Sequence, residues 1–98
     1  MVTEDIQAVE TNTQDAREAL RERGRFLFGE KKYQLALDVF TDELLRSDPL
    51  AASNAAEASL LLRDFESAKQ HARRALDLYG SHIKSISRLS RLHTILSS

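Results

Sequence analysis

A chain of 98 residues, 42% hydrophobic and 30% charged, fits one small domain with a single modest core. Its net charge of −1 argues against charge-driven nucleic-acid binding, and the lack of cysteine excludes disulfides, thiolate metal sites and a cysteine nucleophile. Three glycines and one proline leave too little turn chemistry for a multi-stranded sheet, which points to an all-α chain of long helices and short links.

The first stretch, residues 1–12, is polar and without periodicity, and is expected to be a flexible N-terminal segment ahead of a single domain over residues 13–96. Met1 to Glu10 is acidic and carries no apolar run, so it does not read as a signal peptide. No stretch approaches the roughly 20 apolar residues of a membrane span. A cytoplasmic or nuclear protein without membrane contact is the expectation.

Thr13, followed by Gln14 and Asp15, offers a hydroxyl cap and a first-turn acid, predicting a helix from there to about Gly29 with Ala16, Ala19, Leu20, Leu27 and Phe28 as its apolar set. Gly24 inside it costs about 1 kcal/mol against alanine, which predicts close packing on a neighbour. A second helix is predicted over Lys31 to Ser47, its buried face formed by Tyr33, Ala36, Leu37, Phe40, Leu44 and Leu45. Asp48-Pro49 then supplies a cap and a first helical residue for a third helix, Pro49 to Leu62, rich in alanine. A fourth, Asp64 to Tyr79, turns Phe65, Ala68, Ala72, Ala75 and Leu76 inward and ends on Gly80 as a left-handed cap. A fifth, His82 to Leu96, carries Ile83, Ile86, Leu89, Leu92 and Leu96.

Helices two and four repeat one another: Lys32-Tyr33 matches Asp64-Phe65, Ala36 matches Ala68, Leu44 matches Leu76, and Gly24 falls opposite Ala56. Each repeat is a helix pair, one over residues 14–48 and one over 49–80, with the terminal helix at 82–96 opening a third. Gly24, Tyr33, Ala36-x3-Phe40 and Pro49, then Phe65, Ala68, Ala75 and Gly80, resemble the tetratricopeptide repeat (TPR) over residues 14–96. The chain departs from that pattern in having no tryptophan, in Ala72 where a second phenylalanine is usual, and in a repeat spacing of 32 residues (Tyr33 to Phe65). The resemblance implies a short right-handed superhelix whose concave face is lined by the first helix of each pair and receives a peptide.

On those helices lie two basic stripes, Arg17, Arg21 and Arg25 at i, i+4, i+8, and Lys84, Arg88 and Arg91, with Asn54 between them. Two such stripes facing one groove would receive carboxylates through forked donors. This is similar to the dicarboxylate clamp of TPR cochaperones, which bind the acidic C-terminal peptide of heat-shock protein 90 or 70. Carried over by register, Arg21, Asn54, Lys84 and Arg88 keep the clamp's chemistry, while Arg25 stands where the family has asparagine. Glu57 stands where the family prefers a small residue, and would either repel an acidic peptide or pair with Arg25. Two repeats plus one helix is also the format of small cochaperones that couple heat-shock protein 90 to a chaperone-associated assembly complex.

Other readings compete. Glu18 and Glu22 are placed to pair with Arg21 or Arg25, which would make those arginines an ordinary solvated face. Phe26, Phe28, Tyr33, Phe40 and Phe65 read as packing residues. His82 and His93 lie three turns apart, about 16 Å, and cannot share a metal ion. The late serines sit in no nucleophilic setting, so neither catalysis, a cofactor nor a metal is expected. Single-stranded RNA would use the same basic groove but finds no aromatics there to stack on. The alternative to a peptide adaptor is a scaffold or weak homodimer formed through the apolar surface of the terminal helix, where Ile83, Ile86, Leu89, Leu92, Ile95 and Leu96 exceed what one face needs.

Overall fold

The computed structural model describes the backbone of residues 2–80 and 86–97 and the side chains of residues 13–80 and 91–97. Five helices follow in order: α1 Val2–Gly29, α2 Tyr33–Phe40, α3 Pro49–Leu61, α4 Phe65–Tyr79 and α5 Ile86–Ser97. A 3₁₀ turn, Glu43–Leu45, lies between α2 and α3, and no strand occurs among the described residues. The chain is all-α.

Two helix boundaries differ from the sequence expectation, each for a local reason. Helix α1 starts at Val2 rather than Thr13. Neither glycine nor proline falls before Gly24, so nothing in the backbone interrupts the helix through the segment read as flexible. Helix α2 stops at Phe40, well short of Ser47. The Thr41 hydroxyl donates to the Leu37 carbonyl at 2.8 Å. The Asp42 carboxylate accepts the Leu44 amide at 2.9 Å. Short polar side chains thus offer the backbone an alternative to the helix. The resulting 3₁₀ turn buries Leu45 but leaves Leu44 41% exposed, so the two do not share the buried face that a continuous helix would give them.

The other starts follow the sequence closely. Asp48 accepts the Leu50 and Ala51 amides and Pro49 opens α3. Asp64 caps α4 by accepting the Ser67 amide and hydroxyl. Gly80 has the expected positive φ of 55°, but its ψ of −133° lies far from a left-handed helix. Residues 81–85, where the fifth helix was expected to begin, lie outside the described residues.

The two hairpins, α1–α2 and α3–α4, close with the same turn. In the first, the Lys31 amide donates to Phe28 and the Lys32 amide to Leu27; in the second, Arg63 donates to Leu60 and Asp64 to Ser59. Each donor and acceptor in the second lies 32 positions after its counterpart, as in Leu27 and Ser59. Both are Schellman closures, and the residue forced to positive φ is basic in each, Lys31 at 62° and Arg63 at 65°.

Packing runs from neighbour to neighbour: α1 on α2, α2 on α3, α3 on α4, α4 on α5, with α3 also touching α5. Two cores result. Leu27, Ala36, Phe40 and Leu45 meet Ala51 and Ala55 of α3 in one. Ala52 and Ala56 of α3 meet Ala68, Ala72, Ala75, Leu92 and Ile95 in the other. Helix α3 is therefore apolar around most of its circumference because it is a shared wall. Gly24 is required for close approach, as the sequence suggested: a Cβ there would lie 2.5 Å from the Phe40 ring. Not every apolar residue read as inward is buried. Ala19 is exposed. Phe26 is 66% and Phe65 49% exposed. Phe28 and Tyr33 pack edge to face with ring centroids 5.3 Å apart.

Candidate functional site

Helices α1 and α3 bring three of the five expected carboxylate-binding residues onto one pocket. Arg21, Arg25, Phe28, Phe40, Leu50 and Asn54 line a depression of about 180 Å³. Helical spacing puts Arg21, Arg25 and Phe28 on one face of α1. The N-terminal turn of α3, fixed by the Asp48 cap, presents Leu50 and Asn54 across from them. A larger depression of about 540 Å³ adjoins it through Arg21 and Leu50, and is also lined by Arg17, Leu44, Arg46 and Asp48.

Arg21 is already engaged. Its Nη1 donates to Asp48 Oδ2 and its Nη2 to Glu18 Oε2, both at 2.7 Å. Glu18 first, then Asp48, push the guanidinium pKa above its ordinary value, and the Arg21 hydrogen bond and charge pull Glu18 below its own. The two oxygens of Asp48 divide their work: Oδ1 accepts the amides opening α3, Oδ2 holds Arg21. The sequence reading recognised the cap and the competing Glu18, but missed Asp48 as a second counter-ion. Asp48 lies 27 residues from Arg21, and only the chain reversal through the 3₁₀ turn brings them together.

Arg25 differs. It is exposed and makes no hydrogen bond or ion pair among the described residues, although its charge contributes to lowering the Glu18 pKa. Asn54 is half-buried at the pocket edge. Glu57 does not pair with Arg25: it pairs with Arg91, tying α3 to α5. That neutralises a carboxylate expected to oppose an acidic ligand, and removes Arg91 from the free basic stripe. The Lys84 residue and the Arg88 side chain lie outside the described residues. Phe28, Phe40 and Leu50, read from sequence as packing or left unassigned, supply the apolar wall.

Helix α5 turns Leu92 and Ile95 into the second core, where they are 1% and 3% exposed, with Leu96 packed against that core. These residues serve the fold, and the side chains of Ile83, Ile86 and Leu89 lie outside the described residues. Among the described residues no group of three or more histidines and carboxylates is placed to hold a metal ion. Nor is any helix there long and apolar enough to cross a membrane.

No protein-family model, no curated protein and no solved structure matches this chain.

Proposed function

We propose that this chain is a protein–protein interaction adaptor of TPR type that binds the acidic C-terminal peptide of a partner protein on the face shared by α1 and α3. One observation carries the reading: Arg21, Arg25 and Asn54, separated by up to 33 positions in sequence, line a single pocket, with Arg25 exposed and unpaired among the described residues. A guanidinium and a primary amide beside an apolar wall suit a chain-terminal carboxylate, which accepts forked hydrogen bonds. The 32-residue recurrence of the Schellman turn and the neighbour-to-neighbour packing support a helical-repeat architecture. The C-terminal tails of heat-shock proteins 90 and 70, implied by the clamp resemblance, are the first ligands to try, with a chaperone-associated assembly complex as the wider setting.

Calorimetric titration with a peptide ending Met-Glu-Glu-Val-Asp, beside its C-terminally amidated form, tests this. Micromolar binding is expected that weakens with salt, is lost on amidation, and is lost in Arg25→Glu and Lys84→Glu. Absence of binding by any carboxylate-terminated acidic peptide would overturn the reading.

A further inference from the structure

Resting on that reading, we infer that the pocket selects a ligand whose last residue carries an aliphatic side chain, with its main-chain carboxylate held by Arg25 and Asn54. Three features of the pocket lead there.

The first is charge. Of the two arginines lining it, Arg21 already binds two carboxylates, Asp48 and Glu18, at 2.7 Å each. With two carboxylates on one guanidinium its charge is already answered, and a ligand carboxylate reaching it would meet Asp48 and Glu18 as well. Arg25 alone remains to answer an anion in this pocket among the described residues. One free guanidinium matches one carboxylate, and the terminal main-chain group is the one every peptide end supplies.

The second is the wall. Beside Asn54, the remaining lining is Phe28, Leu50 and the nearly buried Phe40, with Leu50 the most open of the three at 43% exposed although it stands in the first turn of a helix with a packed interior face. A second carboxylate on the last side chain would lose its water against these groups with no second unpaired cation lining the pocket among the described residues. An aliphatic side chain gains by the same burial.

The third is size. A volume of about 180 Å³ falls below the roughly 300 Å³ at which small-molecule sites begin. It holds one side chain and a carboxylate. Upstream residues then pass over the Arg21–Asp48 bridge into the adjoining depression, where exposed Arg17 and Leu44 line the path.

The test uses the full chain and three peptides: Met-Glu-Glu-Val-Leu, Met-Glu-Glu-Val-Asp, and the first with an amidated C-terminus. The leucine-ended acid should bind at least about fivefold more tightly than the aspartate-ended one, and amidation should remove its binding. Leu50→Ala should bring the ratio of the two affinities close to one, while Arg25→Ala should weaken both acids by about tenfold or more. Circular dichroism of each variant separates a binding defect from unfolding, and both altered side chains are exposed. Equal or tighter binding of the aspartate-ended peptide would overturn this inference and leave the adaptor reading standing. Undiminished binding of the amide would overturn the carboxylate role of Arg25. Failure of both acids would remove the adaptor reading itself.

Discussion

The two hairpins share a turn and differ in what fills the space behind it. In α1–α2 the helices meet through Gly24 and Phe40; in α3–α4 the positions 32 residues on are Ala56 and Ala72, both fully buried. A large ring against no side chain and two methyls are alternative ways to fill one interhelical gap, since interiors pack to near-constant density. The α2 helix is also half as long, 8 residues against 15 in α4, because Thr41 and Asp42 interrupt it. What the pair teaches is that backbone closure repeats while side-chain volume is traded between partners. The likeness of the two hairpins is therefore clearest in the hydrogen bonds of their turns and weaker in residue identity.

Exchanging the fillings is the strongest way to break the comparison. Phe40→Ala should cost about 3–5 kcal/mol, because the ring is 97% buried and no neighbour can replace it. Gly24→Ala should cost about 1–3 kcal/mol from overpacking against that ring, partly offset by the better helix propensity of alanine. The double variant imitates the second hairpin, and its loss should fall well below the sum of the single losses. Urea denaturation of all four proteins gives the coupling directly. Strict additivity would mean that the two positions do not share the gap.

Asp48→Ala is next in size. It removes the cap of α3 and the partner of Arg21 together, and should cost about 1–2 kcal/mol in thermal or chemical unfolding. Asp64→Ala removes a cap from the other hairpin without an arginine partner, and should cost less.

The turns themselves allow a smaller test in the opposite direction. Lys31 and Arg63 each hold a positive φ that glycine adopts without strain. Arg63→Gly and Lys31→Gly should each raise stability by up to about 1 kcal/mol, by similar amounts if the turns are equivalent. Unequal gains would show that one turn bears strain the other does not.

The smallest expected effect concerns α4, which has no counterpart to His71 in the first hairpin. Burial first, then the nearby Arg74 charge, lower the His71 pKa. The folded state therefore holds fewer protons than the unfolded state just below the ordinary value of about 6.5. Its stabilising contribution is complete above that value and is lost as pH falls through the lowered one. Urea midpoints at pH 7.5 and 5.5 should differ more in the native protein than in His71→Gln.

The all-helical character, the cap at Asp48, the helix start near Asp64 and the requirement for Gly24 were all legible from residue types and spacing. The end of α2 was not, because the apolar period through Leu44 and Leu45 continues past Thr41 and Asp42, whose hydrogen bonds decide the matter. The turns went unread for a related reason. Glycine signals positive φ, yet here Lys31 and Arg63 adopt it under the demand of two closing hydrogen bonds. The candidate pocket was half legible: the clamp resemblance, carried over by register, grouped Arg21, Arg25 and Asn54, whereas the Arg21–Asp48 and Glu57–Arg91 pairs depend on how the elements fold back on one another. Phe65, placed inside by periodicity, stands half out because it is the first residue of its helix.

The double-sided character of α3 has a further consequence. Ala51 and Ala55 serve one core while Ala52 and Ala56, one step along, serve the other. Adding or deleting a single residue within this helix would rotate everything beyond it by about 100° and put the wrong side chains into both cores at once. The segment from Thr41 to Ser47, anchored by the buried Leu45 but otherwise largely exposed, tolerates a change of length better than α3 does. The 32-residue offset between the two turns can therefore lengthen between the hairpins, while the spacing inside α3 is locked by its two neighbours.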